Sequence, residues 1–215
     1  MDSTHLIDLL STELAPVKRL RPPAVRALIW LGAVTLFLGI IIWVSGLRPD
    51  LSMQMEKTRF IAETAAILLT GIIAAFAAFR AAIPGAPSWT LLTPLPTLLL
   101  WLLFLGKGCL DDLDSGRFAW SISTHCLQQI GWTGLVSGVP MLVMLRCAAP
   151  LQRVPLAVLA GLASASLAAF AMSLYHSYDT SVIVLISHGL IISGLVVGFG
   201  VMGPALLTRR FRLQR

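Results

Sequence analysis

Charged residues are scarce in this chain of 215 residues: they make up 12% of it, whereas hydrophobic residues make up 57%. A soluble globular domain carries about 25% charged residues, so the composition indicates an integral membrane protein. Three cysteines are too few and too scattered for a disulfide framework. The sequence also lacks a nucleophile elbow, a phosphate-binding loop, a dinucleotide-binding turn and a metalloprotease motif. We therefore do not expect an enzyme, and we expect no cofactor.

Six apolar stretches are long enough to span a bilayer, whose core of about 30 Å needs about 20 residues per helix. They run from about Ala27 to Leu47, Phe60 to Ile83, Trp89 to Leu105, Cys126 to Leu145, Val154 to Tyr175 and Ser181 to Leu207. Unbroken runs are not the alternating strands of a membrane barrel. The predicted fold is an all-α integral membrane protein, with six transmembrane helices within residues 25–208. The stretch from about Gly106 to His125 is predicted to be the longest loop.

The distribution of charge between the loops predicts the orientation of the bundle. Eleven basic residues fall on the side that carries both termini, including the basic end at residues 209–215, and five fall on the other side. Seven of the ten acidic residues lie on or near that second side. By the positive-inside rule, both termini of this multi-pass chain are predicted to be cytoplasmic. The charge thus reflects topology, and no direct contact with nucleic acid is expected.

The first 24 residues form the only amphipathic, polar-flanked segment. An apolar face recurs there at three- and four-residue spacing, which predicts a short helix over about residues 4–15 that ends before Pro16. The face is made by Leu6, Ile7, Leu10, Leu14 and Val17, and a basic run follows with Lys18, Arg19 and Arg21. Such a helix either lies flat on the lipid surface or binds a protein. The acidic Asp8 and Glu13 disfavour anionic lipid and favour the protein partner.

Cysteine and histidine residues on the predicted outer half are candidate sensor groups. Cys109 and Cys126 lie at the two ends of one predicted loop, and a disulfide between them needs Cα atoms within about 7 Å. A soft-metal site formed by Cys126, His125 and His176 is a second alternative. Neither has diagnostic spacing, and free cysteines and histidines without a special role are a third. Glu63 lies less than a turn inside the second predicted span, where it either reaches the interface or pairs with Arg59, one helical turn away. Arg80, near the other end of that span, can extend its side chain to the interface.

The tail LIDLLSTELAPVKRLRPP, followed by RPDL after the first span, IPGAPSW at Ile83 to Trp89 and CAAP at Cys147 to Pro150, resembles the NrsF family. Its members are inner-membrane negative regulators of an extracytoplasmic-function sigma factor. The resemblance implies an anti-sigma factor, active in a stress response, whose tail sequesters the sigma factor and whose outer cysteines sense oxidant or metal. It adds Leu9 to the tail residues that bind the partner. Cys126 matches one family cysteine, whereas the second falls near His176, where this chain has Tyr-His-Ser.

A second hypothesis is a small-molecule transporter or a membrane enzyme with a site inside the bundle. It relies on the third span, where Pro94 and Pro96 interrupt the helix and would expose backbone groups to a substrate. Only Thr90, Thr93 and Thr97 supply polar side chains near that interruption. Carriers coupled to protons or ions need ionisable groups near the membrane midplane, and the sequence places none there.

Overall fold

The computed structural model describes residues 20–116, 124–176 and 181–208. The secondary structure of these residues is entirely helical, which confirms the predicted all-α class. The α-helices are α1 (Pro23–Ser45), α2 (Leu51–Met55), α3 (Thr58–Ala81), α4 (Leu95–Asp114), α5 (Thr124–Arg146), α6 (Arg153–Tyr175) and α7 (Ser181–Leu207). A 3₁₀ helix, Ser88–Leu92, precedes α4.

Proline and glycine residues set several helix boundaries. Pro23 is the first residue of α1, where its missing N–H leaves no hydrogen bond unmade. Gly46 ends α1 in the left-handed region with a φ of 76°, and its N–H donates to the carbonyl of Ile42. Gly116, with a φ of 69°, follows α4 in the same way.

Five segments are long and apolar enough to cross a membrane: α1, α3, α6, the Val184–Leu207 part of α7, and Ser88–Asp114. The fourth predicted span corresponds to α5, which has 23 residues but carries Gln128 and Gln129 near its start and Pro140 inside. The outer faces of the helices are apolar, as a lipid-facing surface requires, and Trp43 is 88% exposed. Five of the predicted spans are confirmed by length and composition, and the sixth stays a prediction.

Helix α6 lies at the centre of the bundle, packed against α3, α5 and α7. Its apolar window is 78% buried, compared with 22–44% for the other four spans. Small residues allow this close packing, because a Cβ atom at Gly161 would lie 3.0 Å from Cβ of Phe199 and 3.1 Å from Cα of Val196 in α7. Seven alanines of α6 are buried inside the bundle: Ala157, Ala160, Ala163, Ala165, Ala168, Ala169 and Ala171.

The bundle has two ends, which we name by their arginines. The Arg26 end holds the starts of α1 and α6 and the ends of α3, α5 and α7. There Nη2 of Arg26 donates to the carbonyl of Met144, and its guanidinium lies 5.2 Å from the ring centroid of Phe79. The Arg48 end is opposite, where the N–H of Arg48 donates to the carbonyl of Leu174 at 3.1 Å. The start of α1 and the end of α7 thus share one end.

Two boundary predictions are wrong in detail, and a third is confirmed. The loop predicted from Gly106 is helical to Asp114, because charged side chains at the end of α4 reach water without ending the helix. The predicted interruption of the third span is confirmed, since within Ser88–Asp114 the 3₁₀ helix ends at Leu92 and Pro94 is the N-cap of α4. Arg26, assigned to the segment before the first span, belongs to the first turn of α1 and is 7% exposed.

Candidate functional site

A cavity of about 540 Å³ opens at the Arg48 end of the bundle. Its walls come from the segment after α1 and from α2–α3, α4, α6 and α7, so most of the bundle converges on it. The polar and charged lining residues are Arg48, Gln54, Lys57, Thr58, Arg59, Glu63, Thr64, Asp112, Ser173 and His188. Cavities of about 300–1,000 Å³ with a few convergent polar groups are typical of small-molecule sites.

Arg48 is a buried cation at the mouth of this cavity, with a side chain that is 3% exposed. Its Nε and Nη2 atoms donate to the two carboxylate oxygens of Asp50, each at 2.7 Å, in the fork geometry that only arginine offers. Gln54 donates to the same carboxylate at 2.9 Å. The hydrogen bonds from Arg48 and Gln54 lower the pKa of Asp50 from its usual value. The aromatic ring of Phe60 lies 5.7 Å from the guanidinium of Arg48 and fixes its plane.

A second charged group joins α3 to α4. Nε of Arg59 lies 3.0 Å from Oε1 of Glu63, and its Nη1 lies 3.7 Å from Oδ2 of Asp111. Of the two alternatives left open for Glu63, the ion pair with Arg59 is therefore the one that forms. Gly108 makes this arrangement possible, since a Cβ atom at that position would lie 2.5 Å from Cζ of Arg59.

The inner part of the cavity is apolar. Ile67, Trp101 and Leu105 line it, and each is at most 5% exposed. Ile67 is nine residues beyond the start of α3, so at 1.5 Å per residue the floor lies about 14 Å along that helix. His188 of α7 is buried beside this floor. The cavity thus combines a charged mouth with an apolar interior.

The Arg26 end carries basic side chains. Arg21, Arg80 and Arg153 are exposed and Arg146 is half-buried. No acidic residue lies at this end in the ranges that the structure describes, because Asp50, Glu56, Glu63, Asp111, Asp112 and Asp114 all belong to the Arg48 end. Trp30, one turn further into α1, donates from Nε1 to the carbonyl of Ser137 at 3.0 Å. Arg26 and Trp30 therefore attach the start of α1 to α5.

The predicted partner-binding residues fall mostly outside the described ranges. Arg21 alone among them is described, and it is exposed just before α1. The others, Leu6, Ile7, Leu9, Leu10, Leu14, Val17, Lys18 and Arg19, lie in residues 1–19. The structure shows where their segment is attached: the chain enters α1 beside the end of α5, through the Arg26 contact with Met144.

The predicted sensor residues are only partly described. Cys109 is half-buried on α4 and Cys147 is exposed at the opposite end, and both are free thiols. His176 is half-buried directly after α6. Cys126 and His125 lie in the first turn of α5, and their side chains fall outside the described part of the structure. Among the described side chains, no group of three or more His, Cys, Asp or Glu residues is placed to hold a metal ion. The Cys109–Cys126 disulfide and the mixed Cys/His site stay predictions.

The cavity itself was not predicted from the sequence. Two local signals point toward its lining: the Arg48-Pro49-Asp50-Leu51 stretch directly after an apolar run, and the i, i+4 spacing of Arg59 and Glu63. Neither signal shows that the Arg48–Leu51 stretch and the Arg59–Glu63 pair lie near Asp112, Ser173 and His188. These three residues are distant in sequence from both. That meeting depends on how four helices pack.

Five long apolar segments, one of them the buried, alanine-rich central helix α6, are compatible with a helical membrane protein that crosses the bilayer several times. A family model, NrsF, described as negative regulator of sigma F, matches residues 10–209 and so covers most of the chain. The chain belongs to the NrsF family, and the resemblance noted from its motifs is confirmed. Comparison with curated proteins and with solved structures finds no match.

Proposed function

We propose that this negative regulator is an anti-sigma factor of the inner membrane that sequesters an extracytoplasmic-function sigma factor through its N-terminal helix. The observation that carries the proposal is the family match over residues 10–209, because the family acts negatively on a sigma factor. The amphipathic tail is the part of the sequence that best fits a soluble partner. The bundle anchors that tail and receives a periplasmic or membrane signal, with oxidant or metal as the signal to test first.

Charge supports an orientation with the Arg26 end, and hence the tail and the basic residues 209–215, in the cytoplasm. The described basic residues of that end have no acidic neighbours at the same end, whereas the described acids cluster at the other. Lysine and arginine are retained on the cytoplasmic side during insertion. Six spans, with α5 as the sixth, bring both termini to that side.

The tail alone is expected to bind its partner with modest affinity. Full burial of its five apolar side chains contributes roughly 7–15 kcal/mol, and the loss of freedom on association costs about 4–15 kcal/mol. The two ranges overlap. A modest affinity is compatible with regulation, because a small change in the free energy of binding is then enough to release the sigma factor.

Helix α1 is the element that connects the tail to the opposite side of the membrane. Arg26 fixes its start to α3 and α5, and Arg48, just after its end, is fixed to α6. A signal at the Arg48 end changes the tail only if the two arrangements of α1 bind the signal with different affinities. The contacts of Arg26 and Arg48 are those that we expect to differ between the two arrangements of α1.

The binding test uses the full-length protein in lipid nanodiscs and the purified sigma factor of the same genome. The double variant Leu6→Glu, Leu10→Glu places two charges on the apolar face, and we expect at least a hundredfold loss of affinity. The matched control, His5→Glu and Thr12→Glu, adds the same charge to the opposite face and should bind as the wild type does. Equal binding by both double variants would contradict sequestration through the tail.

The signal is tested separately, with a reporter driven by the sigma factor. We expect Cys126→Ser to blunt induction by oxidant or metal, and Cys147→Ser, at the opposite end, to leave it unchanged. A normal induction curve in the Cys126 variant would contradict thiol sensing and leave the tail mechanism intact. An equal loss of induction in the Cys147→Ser variant would contradict the assignment of the sensor residues to the outer side of the membrane.

The transporter or membrane enzyme hypothesis gains no support at the interruption on which it relied. Thr93 donates its hydroxyl to the carbonyl of Thr90 at 2.8 Å, and Thr97 donates to the carbonyl of Pro94 at 3.0 Å. These hydroxyls satisfy the local backbone at the start of α4. The Thr90 hydroxyl is buried and has no hydrogen-bond partner in the described part of the chain, and one hydroxyl is too little to make a substrate site.

A further inference from the structure

The cavity at the Arg48 end has the features of a built ligand site. We propose that it binds an anionic amphiphile, a molecule with a carboxylate or phosphate group and an apolar body. The anionic group contacts Arg48 and Lys57, and the apolar body lies against Trp101, Leu105 and Ile67.

Arg48 is the anchor for the anionic group. Its side chain is 97% removed from solvent, yet it lines the cavity. Asp50 occupies Nε and Nη2, and no residue in the described part of the chain forms a hydrogen bond with Nη1. A guanidinium held in a fixed plane by a carboxylate and an aromatic ring, with donors left over, is preorganised for an oxyanion. Preorganisation raises the affinity, because the side chain of Arg48 is already ordered before the ligand binds and loses little further conformational entropy.

Lys57 supplies the net positive charge at the cavity mouth, since the positive charge of Arg48 is balanced by the carboxylate of Asp50. Lys57 is exposed at the cavity mouth and forms no ion pair with any described residue. On the other side of the cavity, Arg59 is shared by Glu63 at 3.0 Å and Asp111 at 3.7 Å, so the excess negative charge lies on that side, away from Lys57. Asp112 is the remaining acid of the lining, and it lies with Glu63 and Arg59 on that other side. The mouth therefore favours an anion at Lys57 and Arg48.

The apolar floor selects for an amphiphile over a simple inorganic anion. Trp101 and Leu105 from α4 and Ile67 from α3 are buried by the protein yet line the cavity. With a floor about 14 Å from the start of α3, the cavity accepts a ring system or a short alkyl chain behind the anionic group. Two sources supply this chemistry: fatty acids from the membrane and aromatic carboxylates from the surrounding water.

Binding at this site bears directly on α1, because Arg48 follows α1 and its N–H is bonded to the end of α6. The use of the ligand as a release signal depends on the proposed function, whereas its binding does not. A binding experiment without any sigma factor therefore separates the two claims.

The experiment measures binding by isothermal titration to the full-length protein in nanodiscs of zwitterionic lipid. Two probes represent the two sources: 2-naphthoate, which is water-borne, and dodecanoate, which partitions into the membrane. Neutral 2-naphthamide has the shape of the first probe without its charge. Saturable binding of either carboxylate, with 2-naphthamide at least tenfold weaker than 2-naphthoate or dodecanoate, is the expected result. Equal binding of amide and carboxylate, or no saturable binding of either carboxylate, would overturn the proposal.

Variants locate the bound probe. Lys57→Gln should weaken carboxylate binding at least threefold, while Lys107→Gln, an exposed lysine of α4 that does not line the cavity, should leave it unchanged. Arg48→Lys keeps the charge but loses the fork, and it should weaken binding at least tenfold. Because Arg48 also packs against α6, Ala169→Leu provides a second route, since it narrows the floor without touching the charges. Unchanged affinity in Lys57→Gln and Ala169→Leu would place the probe elsewhere and overturn the proposal.

Discussion

Gly108 offers a sharp test of the packing at the Arg48 end. An added Cβ atom would lie 2.5 Å from Cζ of Arg59 and 2.6 and 2.7 Å from its two Nη atoms. Real contacts are never this short, so Gly108→Ala must displace the guanidinium of Arg59. The displaced group leaves Glu63, whose side chain is only 17% exposed, without its cation.

The magnitude follows from the exposure of this ion pair. Exposed pairs contribute about 0.2–1 kcal/mol, whereas breaking a buried pair costs about 3–5 kcal/mol. With Arg59 at 38% and Glu63 at 17% exposed, we expect a loss of about 1–2 kcal/mol. The gain from replacing glycine by alanine in a helix, roughly 0.5–1 kcal/mol, offsets part of that loss.

Gly106→Ala is the matched control, two residues away on the same helix, where an added Cβ meets nothing within 4 Å. Reversible unfolding by sodium dodecyl sulfate, followed by circular dichroism, should place Gly108→Ala about 1–2 kcal/mol below Gly106→Ala. In an Arg59→Ala background the difference should vanish, because the displaced group is absent. Equal stability of the two variants in the wild-type background would refute the reasoning.

Three further predictions test other parts of the structure. The pKa of Asp50 is lowered in the folded protein, so this carboxylate stabilises the fold fully above its ordinary pKa of about 4, and the stabilisation is lost as pH falls through the lower folded value. Asp50→Asn should therefore flatten the acid limb of a plot of stability against pH. An unchanged acid limb would contradict the Arg48–Asp50 pair. Gly203→Ala would bring two Cβ atoms to 2.6 Å at Ala157 and should destabilise the bundle by about 1–3 kcal/mol, while Gly194→Ala, which meets nothing within 4 Å, should not. Trp30→Phe removes the hydrogen bond to Ser137 and should cost about 0.5–1.5 kcal/mol in chemical unfolding, whereas Trp43→Phe, 88% exposed, should cost less.

The sequence predicted those features that depend on local pattern. Apolar runs located the helices within a few residues, except at the end of the third span. The Arg59–Glu63 spacing allowed an ion pair, and the tail and loop motifs led to the family. Periodicity identifies a helix because its side chains repeat every 3.6 residues, whatever that helix later packs against.

Features that depend on packing between distant segments were missed. Hydropathy placed Arg26 outside the first span because a charge lowers the average, but the carbonyl of Met144 and the ring of Phe79 allow it to lie inside α1. The end of the third span was placed at Leu105 for the same reason, although α4 continues to Asp114. The cavity required the relative positions of α3, α4, α6 and α7, which no local pattern contains.

Arg48 connects several of these observations. It belongs to the Arg-Pro-Asp-Leu stretch that helped to identify the family, it ties the segment after α1 to α6, and it lines the cavity. The residue therefore lies where the proposed ligand site meets the segment that follows α1.

The most direct test of the central claim is the location of the sigma factor in cells that express this protein. Membranes are separated by ultracentrifugation, and the sigma factor is quantified by immunoblot in the pellet and in the supernatant. We predict that it sediments with membranes that contain the wild-type protein and stays in the supernatant when the protein carries Leu6→Glu and Leu10→Glu, at equal levels of inserted protein. A sigma factor that stays in the supernatant beside the wild-type protein would contradict sequestration at the membrane.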